Sequence, residues 1–145
     1  MDKKIIVGVC IKNENDEILM VQEAREDVKG LYNIPAGKLN FYESLLEGAI
    51  RETKEETGYD VKLDSILCIQ YLESKNALKV IFNATIISGY INFNNNEIMD
   101  VKWIPIEDIE NMTAKELRSY DSNINIIRNS KNNKHYPMEI IENLQ

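Results

Sequence analysis

Residues 37–59 read GKLNFYESLLEGAIRETKEETGY, and the interpretation of the whole chain starts from this stretch. Three of its glutamates, Glu52, Glu55 and Glu56, lie within five consecutive positions beside Arg51. Like charges this close repel one another, and a solvated helix gains stability when charges of opposite sign alternate along its surface. The stretch is therefore either an ordinary solvated helix face or a place where something strongly positive binds.

Local signals in this stretch predict a helix of about four turns. Ser44 and Glu47 have the spacing of a capping box, which places the start of the helix at Ser44. Gly58 provides the left-handed residue that commonly ends a helix. On a helical wheel of about 100° per residue, the three glutamates share an arc of about 100° next to an apolar stripe that includes Leu45 and Ala49.

The acidic arc partly overlaps the face that is expected to be buried. Glu56 falls between Leu45 and Ala49, where an unpaired carboxylate would be costly. Gly48 lies over the acidic arc, and its missing side chain leaves room for a loop, a metal ion or a phosphate. Clustered hard oxygen ligands favour Mg²⁺ or Mn²⁺, which take further ligands from substrate phosphates. The cluster therefore predicts a divalent-cation site.

The composition limits the kind of protein to which this site can belong. The chain has 145 residues, 43% of them apolar, which fits one compact domain over residues 1–145. Its formal net charge of −7 argues against nucleic acid or an anionic membrane as the main partner. Cys10 and Cys68 lie in apolar runs and are interpreted as buried thiols in a reducing compartment. With no signal peptide or spanning segment apparent, a cytoplasmic location is expected.

Strand-like runs precede and follow the acidic helix. Strands are predicted for KIIVGVCI and ILMVQE before it, and for VKLDSILCIQYLE, ALKVIFNATIISGYINF and EIMDVKWIP after it. Short helices are predicted for IEDIENM and TAKELRSYD, with a further helical segment in SNINIIRNSKNNK. This order predicts an α/β or α+β domain with a mixed sheet.

The stretch at residues 37–59 resembles the Nudix box, written G-x5-E-x7-R-E-U-x-E-E-x-G-U with U a bulky apolar residue. Gly37, Glu43 and residues 51–59 fill this pattern. The departures are Thr53 and Tyr59, which occupy the two U positions. The match is specific because it combines several fixed residue types at fixed spacings.

The resemblance extends over roughly residues 4–120. The approach LYNIPAGKL is similar to the family's W-x-x-P-G-G element, in its P-A-G variant. The later NNEIMDVKW is similar to an element in which a glutamate, here Glu97, precedes a tryptophan, here Trp103. The resemblance implies a small MutT-like member with the Nudix fold, a central mixed β-sheet sandwiched between α-helices.

The resemblance also implies a reaction, in which water attacks phosphorus in a diphosphate and Mg²⁺, replaceable by Mn²⁺, neutralises its charge. Carried over by position, Glu52, Glu55 and Glu56 are implied metal ligands, together with the backbone carbonyl of Gly37. Arg51 is implied to orient Glu55, which its i, i+4 spacing independently allows.

The remaining candidates lie outside the acidic arc. Glu97 is an implied metal ligand, and either Glu97 or Glu55 is the base that activates water. Glu43 is interpreted as supporting the loop before the helix. The candidates for substrate binding are Arg25 and Lys38, for a phosphate, and Tyr32, for stacking on a base.

These features favour Mg²⁺-dependent hydrolysis of a diphosphate linkage in a small nucleotide-type substrate, such as a nucleoside di- or triphosphate. One alternative is an ADP-ribose or nucleotide-sugar pyrophosphatase. Another is a non-catalytic nucleotide sensor built on the same fold. The expected partner is a small phosphorylated molecule, with neither nucleic acid nor a membrane, and the expected assembly is a monomer or homodimer.

Overall fold

A computed structural model describes residues 2–144 and contains, within them, seven strands and three α-helices. The strands are β1 (Lys4–Cys10), β2 (Glu17–Glu23), β3 (Tyr32–Asn33), β4 (Ala36–Lys38), β5 (Tyr59–Leu72), β6 (Ala77–Gly89) and β7 (Ile98–Pro105). The helices are α1 (Leu45–Thr57), α2 (Ile106–Glu110) and α3 (Tyr120–Lys131). No helix among the described residues is long and apolar enough to cross a membrane. The α+β fold class that the sequence predicts is confirmed.

The strands are divided between two sheets. The larger sheet has the order β4-β1-β6-β5, with β1 and β6 parallel and the other neighbours antiparallel. The smaller sheet has the order β3-β2-β7 and is antiparallel throughout. The larger sheet is the predicted mixed sheet, because its one parallel pair joins strands that lie on either side of α1 in the sequence.

Both faces of the sheets are covered, because neighbouring residues of a strand enter different cores. Leu19 of β2 packs in one core with Ala49 of α1. Its neighbour Met20 packs in a second core with Ile109 of α2 and Ile126 of α3. Since alternate residues of a strand point to opposite faces, α1 lies on one side of the sheets and the other two helices lie on the opposite side.

Residues 113–119 do not form the helix predicted for TAKELRSYD. Leu117 instead forms an isolated bridge with Tyr32, and its side chain is buried. The Tyr32 amide donates to the Glu116 carbonyl at 2.8 Å, and the Arg118 amide donates to the Tyr32 carbonyl at 2.9 Å. Pairing with β3 therefore replaces the local helical hydrogen bonds. The helices predicted on either side are present as α2 and α3.

The two cysteines are free thiols. Burial raises the pKa of the Cys10 thiol to about 12 and that of the Cys68 thiol to about 11. Both are therefore protonated at neutral pH and behave as small apolar side chains rather than as nucleophiles.

Helix α1 begins and ends where the sequence predicts. The Ser44 hydroxyl accepts a hydrogen bond from the Glu47 amide at 3.1 Å, and the Glu47 carboxylate accepts one from the Ser44 amide at 3.0 Å. Gly58 follows the helix with φ +88°, and its amide donates to the Lys54 carbonyl at 2.9 Å. A Cβ on Gly58 would lie 2.1 Å from the Tyr90 carbonyl oxygen. Gly58 thus ends the helix and also admits the segment around Tyr90.

Replacing Gly58 with alanine is expected to lower the free energy of unfolding by more than about 1 kcal/mol, because the left-handed φ and the contact with Tyr90 both oppose a side chain. Gly30→Ala is the matched control, since Gly30 has φ +86° but no atom within 4 Å of the added Cβ. Urea unfolding of both variants measures the difference. Equal losses would contradict a contribution from the Tyr90 contact.

Candidate functional site

Helix α1 and strand β4 line the same cleft, which has a volume of about 540 Å³. Helix α1 contributes Glu52, Glu55 and Glu56, and β4 contributes Gly37 and Lys38. These residues meet because α1 packs against β1, with which β4 pairs. The structure therefore brings together most of the site residues predicted from residues 37–59.

Two further predicted site residues, Arg25 and Glu97, reach this cleft from loops. The Glu97 carbonyl accepts a hydrogen bond from the amide of Ala24 at 2.8 Å. The turn before β7 is closed by the Asn94 carbonyl, which accepts from the amides of Glu97 and Ile98, each at 3.0 Å. Because Arg25 follows Ala24 in the chain, one backbone hydrogen bond holds both loops at the cleft.

Gly37 and Glu52 are in close contact. A Cβ placed on Gly37 would lie 2.3 Å from the carboxyl carbon of Glu52 and 2.4 Å from each of its oxygens. The lack of a side chain at Gly37 therefore provides the space that the Glu52 carboxylate occupies. The Glu52 side chain is 13% exposed, and this burial raises its pKa.

Arg51 connects three carboxylates. Its guanidinium donates two hydrogen bonds to Glu43, at 2.6 and 2.9 Å, and one to Glu52 at 2.9 Å. The predicted contact with Glu55 is present but longer, at 3.3 Å. Glu43 also accepts from the Asn40 amide at 3.0 Å, so it supports the loop before α1 as predicted. The hydrogen bonds from Arg51 hold the pKa of Glu43 below its ordinary value.

Glu56 lies at the edge of the core, as the helical wheel predicts. One of its carboxylate oxygens accepts a hydrogen bond from the Ala36 amide at 2.9 Å. Burial raises the pKa of Glu56 well above its ordinary value, and the charges of Glu52, Glu23 and Glu97 raise it further. A buried carboxyl group that faces other carboxylates is stabilised in its charged form by a bound cation.

The donor set fits a hard divalent cation. Glu52, Glu55, Glu56 and Glu97 offer carboxylate oxygens and Gly37 offers a backbone carbonyl, which are the ligand types of Mg²⁺ and Mn²⁺. Within residues 2–144, no three acidic, histidine or cysteine side chains converge on a ready-made metal position. Two of the carboxylates are instead directed to Arg51.

Gly48 leaves room for a loop. A Cβ placed there would lie 2.6 Å from Cδ1 of Leu39, 3.0 Å from a carboxylate oxygen of Glu43 and 3.1 Å from a methyl group of Val7. Of the three possibilities that the sequence leaves open at this position, the structure selects the loop over a metal ion or a phosphate.

The structure does not bring Tyr32 into the cleft. Asn33 lines the cleft, and neighbouring residues of a strand point to opposite faces. The Tyr32 ring therefore faces away, where Nζ of Lys102 lies 5.1 Å from its centroid. Tyr32 is accordingly removed from the substrate-binding candidates, whereas Arg25 and Lys38 keep their place.

Sequence reasoning missed a group of basic residues in the same cleft, Lys4, Lys75, Lys79 and Arg118, called here the basic cluster. Lys79 is only 4% exposed, and its ammonium donates to the Ser122 hydroxyl at 3.0 Å. Burial lowers the pKa of Lys79 to about 8, with further lowering by Lys75 and Arg118. The available signal was a lysine next to the apolar run VIF in the strand ALKVIFNATI.

Glu23, at the end of β2, was also missed. Its side chain is 2% exposed and contacts the guanidinium of Arg118. A second arginine, Arg25, lies 3.8 Å from its carboxylate, and the Asn33 amide group donates to it at 3.5 Å. Pairing with these groups compensates the cost of burying the charge. Glu23 and Arg118 are 95 positions apart, so no local pattern could indicate their contact.

Comparison with known sequences identifies relatives of one family. Residues 2–124 match the family profile of the NUDIX domain. Nudix hydrolase 2 of Arabidopsis thaliana is 32% identical over 114 residues, which cover 74% of this chain and 41% of the relative. An 8-oxo-dGDP phosphatase of Danio rerio is 43% identical over 65 residues, 45% of this chain and 20% of the relative. The chain therefore spans less than half the length of these curated relatives.

Solved structures with the same fold include a NUDIX hydrolase from Nitrosomonas europaea, with a TM-score of 0.86 and 23% identity over 99% of this chain and 98% of that one. An ADP-ribose pyrophosphatase from Streptococcus suis has a TM-score of 0.73 and 21% identity over 93% of this chain and 96% of the other. The MutT protein of Methanosarcina mazei has a TM-score of 0.73 and 27% identity over 92% and 99%. The resemblance found in the sequence is confirmed, and the match over residues 2–124 shows that this chain belongs to the Nudix family.

Proposed function

We propose that this protein hydrolyses a diphosphate linkage in a small nucleotide-type substrate, such as a nucleoside di- or triphosphate, with Mg²⁺ as the cation. The observation that carries the proposal is the presence of four carboxylates from α1 and the Glu97 loop, beside the backbone of Gly37, in one cleft. Nudix hydrolases generally use divalent metal ions. Mg²⁺, with Mn²⁺ as a substitute, suits a set made only of oxygen ligands.

The proposed metal ligands are Glu52, Glu55, Glu56, Glu97 and the carbonyl of Gly37. When bound, a divalent cation neutralises the charge of the diphosphate and stabilises the charge that develops during transfer of the phosphoryl group. Three of these ligands are fixed on the rigid helix α1. The Gly37 carbonyl belongs to β4, whose position is fixed by pairing with β1.

Arg51 is proposed to act as a positioning residue. The two hydrogen bonds that its guanidinium donates to Glu43 anchor it, so its contacts with Glu52 and Glu55 are made from a fixed point. The Glu55 side chain is 52% exposed, which leaves its carboxylate in reach of solvent in the cleft. The proposed role of Arg51 is therefore to limit the directions in which these two carboxylates can turn.

Glu97 is the proposed general base. Within residues 2–144 its carboxylate has no hydrogen-bond or ion-pair partner, whereas Glu55 contacts Arg51. The Glu97 carboxylate is therefore open to water in the cleft, whereas that of Glu55 is already engaged with Arg51. Arg25 and Lys38, both exposed at the cleft, are proposed to contact substrate phosphates.

A second candidate is hydrolysis of ADP-ribose or a nucleotide sugar, which carries a large group on each side of the diphosphate. The observation that favours it is the extent of the cleft, which continues past the carboxylates to β6 and to residues 118–119. Its volume of about 540 Å³ lies in the range of small-molecule sites. A non-catalytic sensor is the less favoured alternative, because all the carboxylates of the box are present.

Hydrolysis is expected to require added Mg²⁺ or Mn²⁺ and to stop in excess chelator. The measurement is release of phosphate or pyrophosphate from a panel of nucleoside di- and triphosphates, ADP-ribose and nucleotide sugars. Mg²⁺ is also expected to raise the melting temperature, because a cation bound only by the folded protein stabilises it. Full activity in chelator would refute the metal assignment, and metal binding without hydrolysis of any compound would identify a sensor.

Glu56→Gln is expected to lower kcat about 100-fold or more, because a charged ligand is lost. The side-chain amide oxygen introduced by this substitution can still accept the hydrogen bond from the Ala36 backbone amide. The metal-free variant is therefore expected to unfold at the same urea concentration as the wild-type protein or at a higher one. Glu43→Gln is expected to lower kcat less, because Glu43 acts through Arg51. Glu107→Gln, an exposed carboxylate on α2, is the control that leaves kcat unchanged. A loss for Glu43→Gln that equals that for Glu56→Gln would contradict these assignments.

Glu97→Gln is expected to lower kcat about 100-fold or more with little change in KM, because a general base contributes that much to typical enzymes. The acidic limb of the pH profile of kcat should also flatten. If Glu97 is only a metal ligand, the loss will instead shrink as the Mg²⁺ concentration is raised. Unchanged kcat at low and at high Mg²⁺ would transfer the role of base to Glu55.

A further inference from the structure

We propose that the basic cluster (Lys4, Lys75, Lys79 and Arg118) binds a second phosphate group of the substrate, remote from the diphosphate that is hydrolysed. This inference rests on the proposed function, because it concerns the far end of the same substrate. It adds the substrate class, namely diphosphates that also carry a phosphate monoester.

One face of the larger sheet forms the floor of the cleft, and the strand register places three lysines on that face. Ile6 of β1 is paired directly with Lys38 of β4 and with Lys79 of β6, so these three side chains point to the same face of the sheet. Lys4 lies two positions before Ile6 on β1 and therefore points to that face as well. All four residues line the cleft. The floor thus leads from the Nudix box to the basic cluster.

The second half of the basic cluster comes from two loops at the end of this floor. Lys75 lies in the turn between β5 and β6, where its ammonium contacts the Ser119 hydroxyl. Arg118 precedes Ser119 and is held there by its backbone hydrogen bond to Tyr32. Cations from β1, β6 and two separate loops therefore line the same part of the cleft.

Lys79 is buried without a counter-ion. Within the described residues, its ammonium has one hydrogen-bond partner, the Ser122 hydroxyl at 3.0 Å, and no carboxylate within ion-pair distance. The Ser122 hydroxyl in turn donates its own proton to the Gln70 side-chain oxygen at 2.5 Å. The hydroxyl oxygen of Ser122 is therefore left to accept from Lys79. An ammonium has three protons to donate, and a buried one is costly unless an anion pairs with it. The unused donors of Lys79 face the cleft.

The charges around Lys79 repel it rather than stabilise it. After burial, the main causes that lower its pKa are the charges of Lys75 and Arg118. Partial desolvation at the cleft likewise lowers the pKa of the otherwise exposed Lys75, and the charges of Arg118 and Lys4 lower it further. The carboxylate that contacts this group is Glu23, and within the cluster it pairs with Arg118 and with none of the three lysines. Among residues 2–144, the three lysines therefore have no carboxylate within ion-pair distance, in a protein whose net charge is −7.

A phosphate monoester fits these groups better than a neutral base or sugar does. It carries nearly two negative charges and three acceptor oxygens, and lysine ammonium groups bind it as point charges. The basic cluster offers donors without acceptors on its three lysines, so a neutral group would leave the burial cost of Lys79 uncompensated. Since the proposed function puts the reactive diphosphate at the carboxylates, the phosphate that we assign to the basic cluster is a different one.

Binding of the phosphate is tested first without metal, so that the carboxylate end of the cleft plays no part. In excess EDTA, ribose 5-phosphate at ten times its dissociation constant is expected to raise the melting temperature by about 3 °C or more. Ribose, which lacks the phosphate, should have no effect. Lys79→Met should abolish the shift, and so should Lys75→Met, whose exposed position makes it safe for folding. Lys62→Met, an exposed lysine elsewhere on β5, is the matched control and should keep it.

Substrate choice is tested with pairs that differ only in a phosphate monoester, namely NADP⁺ against NAD⁺ and coenzyme A against dephospho-coenzyme A. With Mg²⁺, kcat/KM is expected to be about tenfold higher for the phosphorylated member of at least one pair. Lys79→Met should bring the ratio of kcat/KM values within that pair close to one. Hydrolysis of the compound that lacks the phosphate monoester should continue.

The outcomes separate this inference from the proposed function. Hydrolysis of the diphosphates with no preference in either pair, or a ribose 5-phosphate shift that survives in both lysine variants, would overturn the phosphate site alone. Absence of any shift in the wild-type protein would also overturn it. A phosphate-dependent shift with no hydrolysis of any diphosphate would instead remove the proposed function and leave a phosphate-binding protein.

Discussion

The repulsion among carboxylates at one end of the cleft is the constraint on which the rest of the site depends. Glu52 and Glu56 are withdrawn from solvent, so water screens their charges poorly. The fold relieves part of this repulsion with neutral and cationic groups: the Arg51 guanidinium and the Ala36 amide. The repulsion that these groups leave uncompensated would be relieved by a bound cation, so it is the electrostatic basis of the metal site that we propose.

The two ends of the cleft are built in the same way, but their side chains carry charges of opposite sign. At one end, a helix packed in the core presents carboxylates. At the other, a strand of the larger sheet presents Lys79, and the neighbouring turns add cations. In both places a charged side chain is fixed on regular structure and its burial is only partly compensated. A substrate with phosphates at both ends and a metal ion would neutralise the whole cleft.

The parts of this structure that the sequence predicts are those governed by short-range signals. The bounds of α1 follow from Ser44 and Gly58. The proximity of the Nudix-box glutamates to one another follows from the helical period. Tyr32, the predicted stacking residue, lies outside the cleft, because the facing of a two-residue strand depends on pairing with distant strands that the sequence does not show. The helix expected at residues 113–119 was overridden by the same pairing. The Glu23–Arg118 ion pair depends on a contact between residues 95 positions apart, for which a single sequence carries no signal.

The hydrogen bond between the Ala24 amide and the Glu97 carbonyl has a consequence for exchanging loops between relatives. It ties the segment that carries Arg25 to the segment that carries Glu97, so neither can be lengthened or replaced without displacing the other. A chimera that receives only one of the two loops from a relative would lose the alignment of both. The two loops are therefore expected to be exchangeable only together, as a pair of segments.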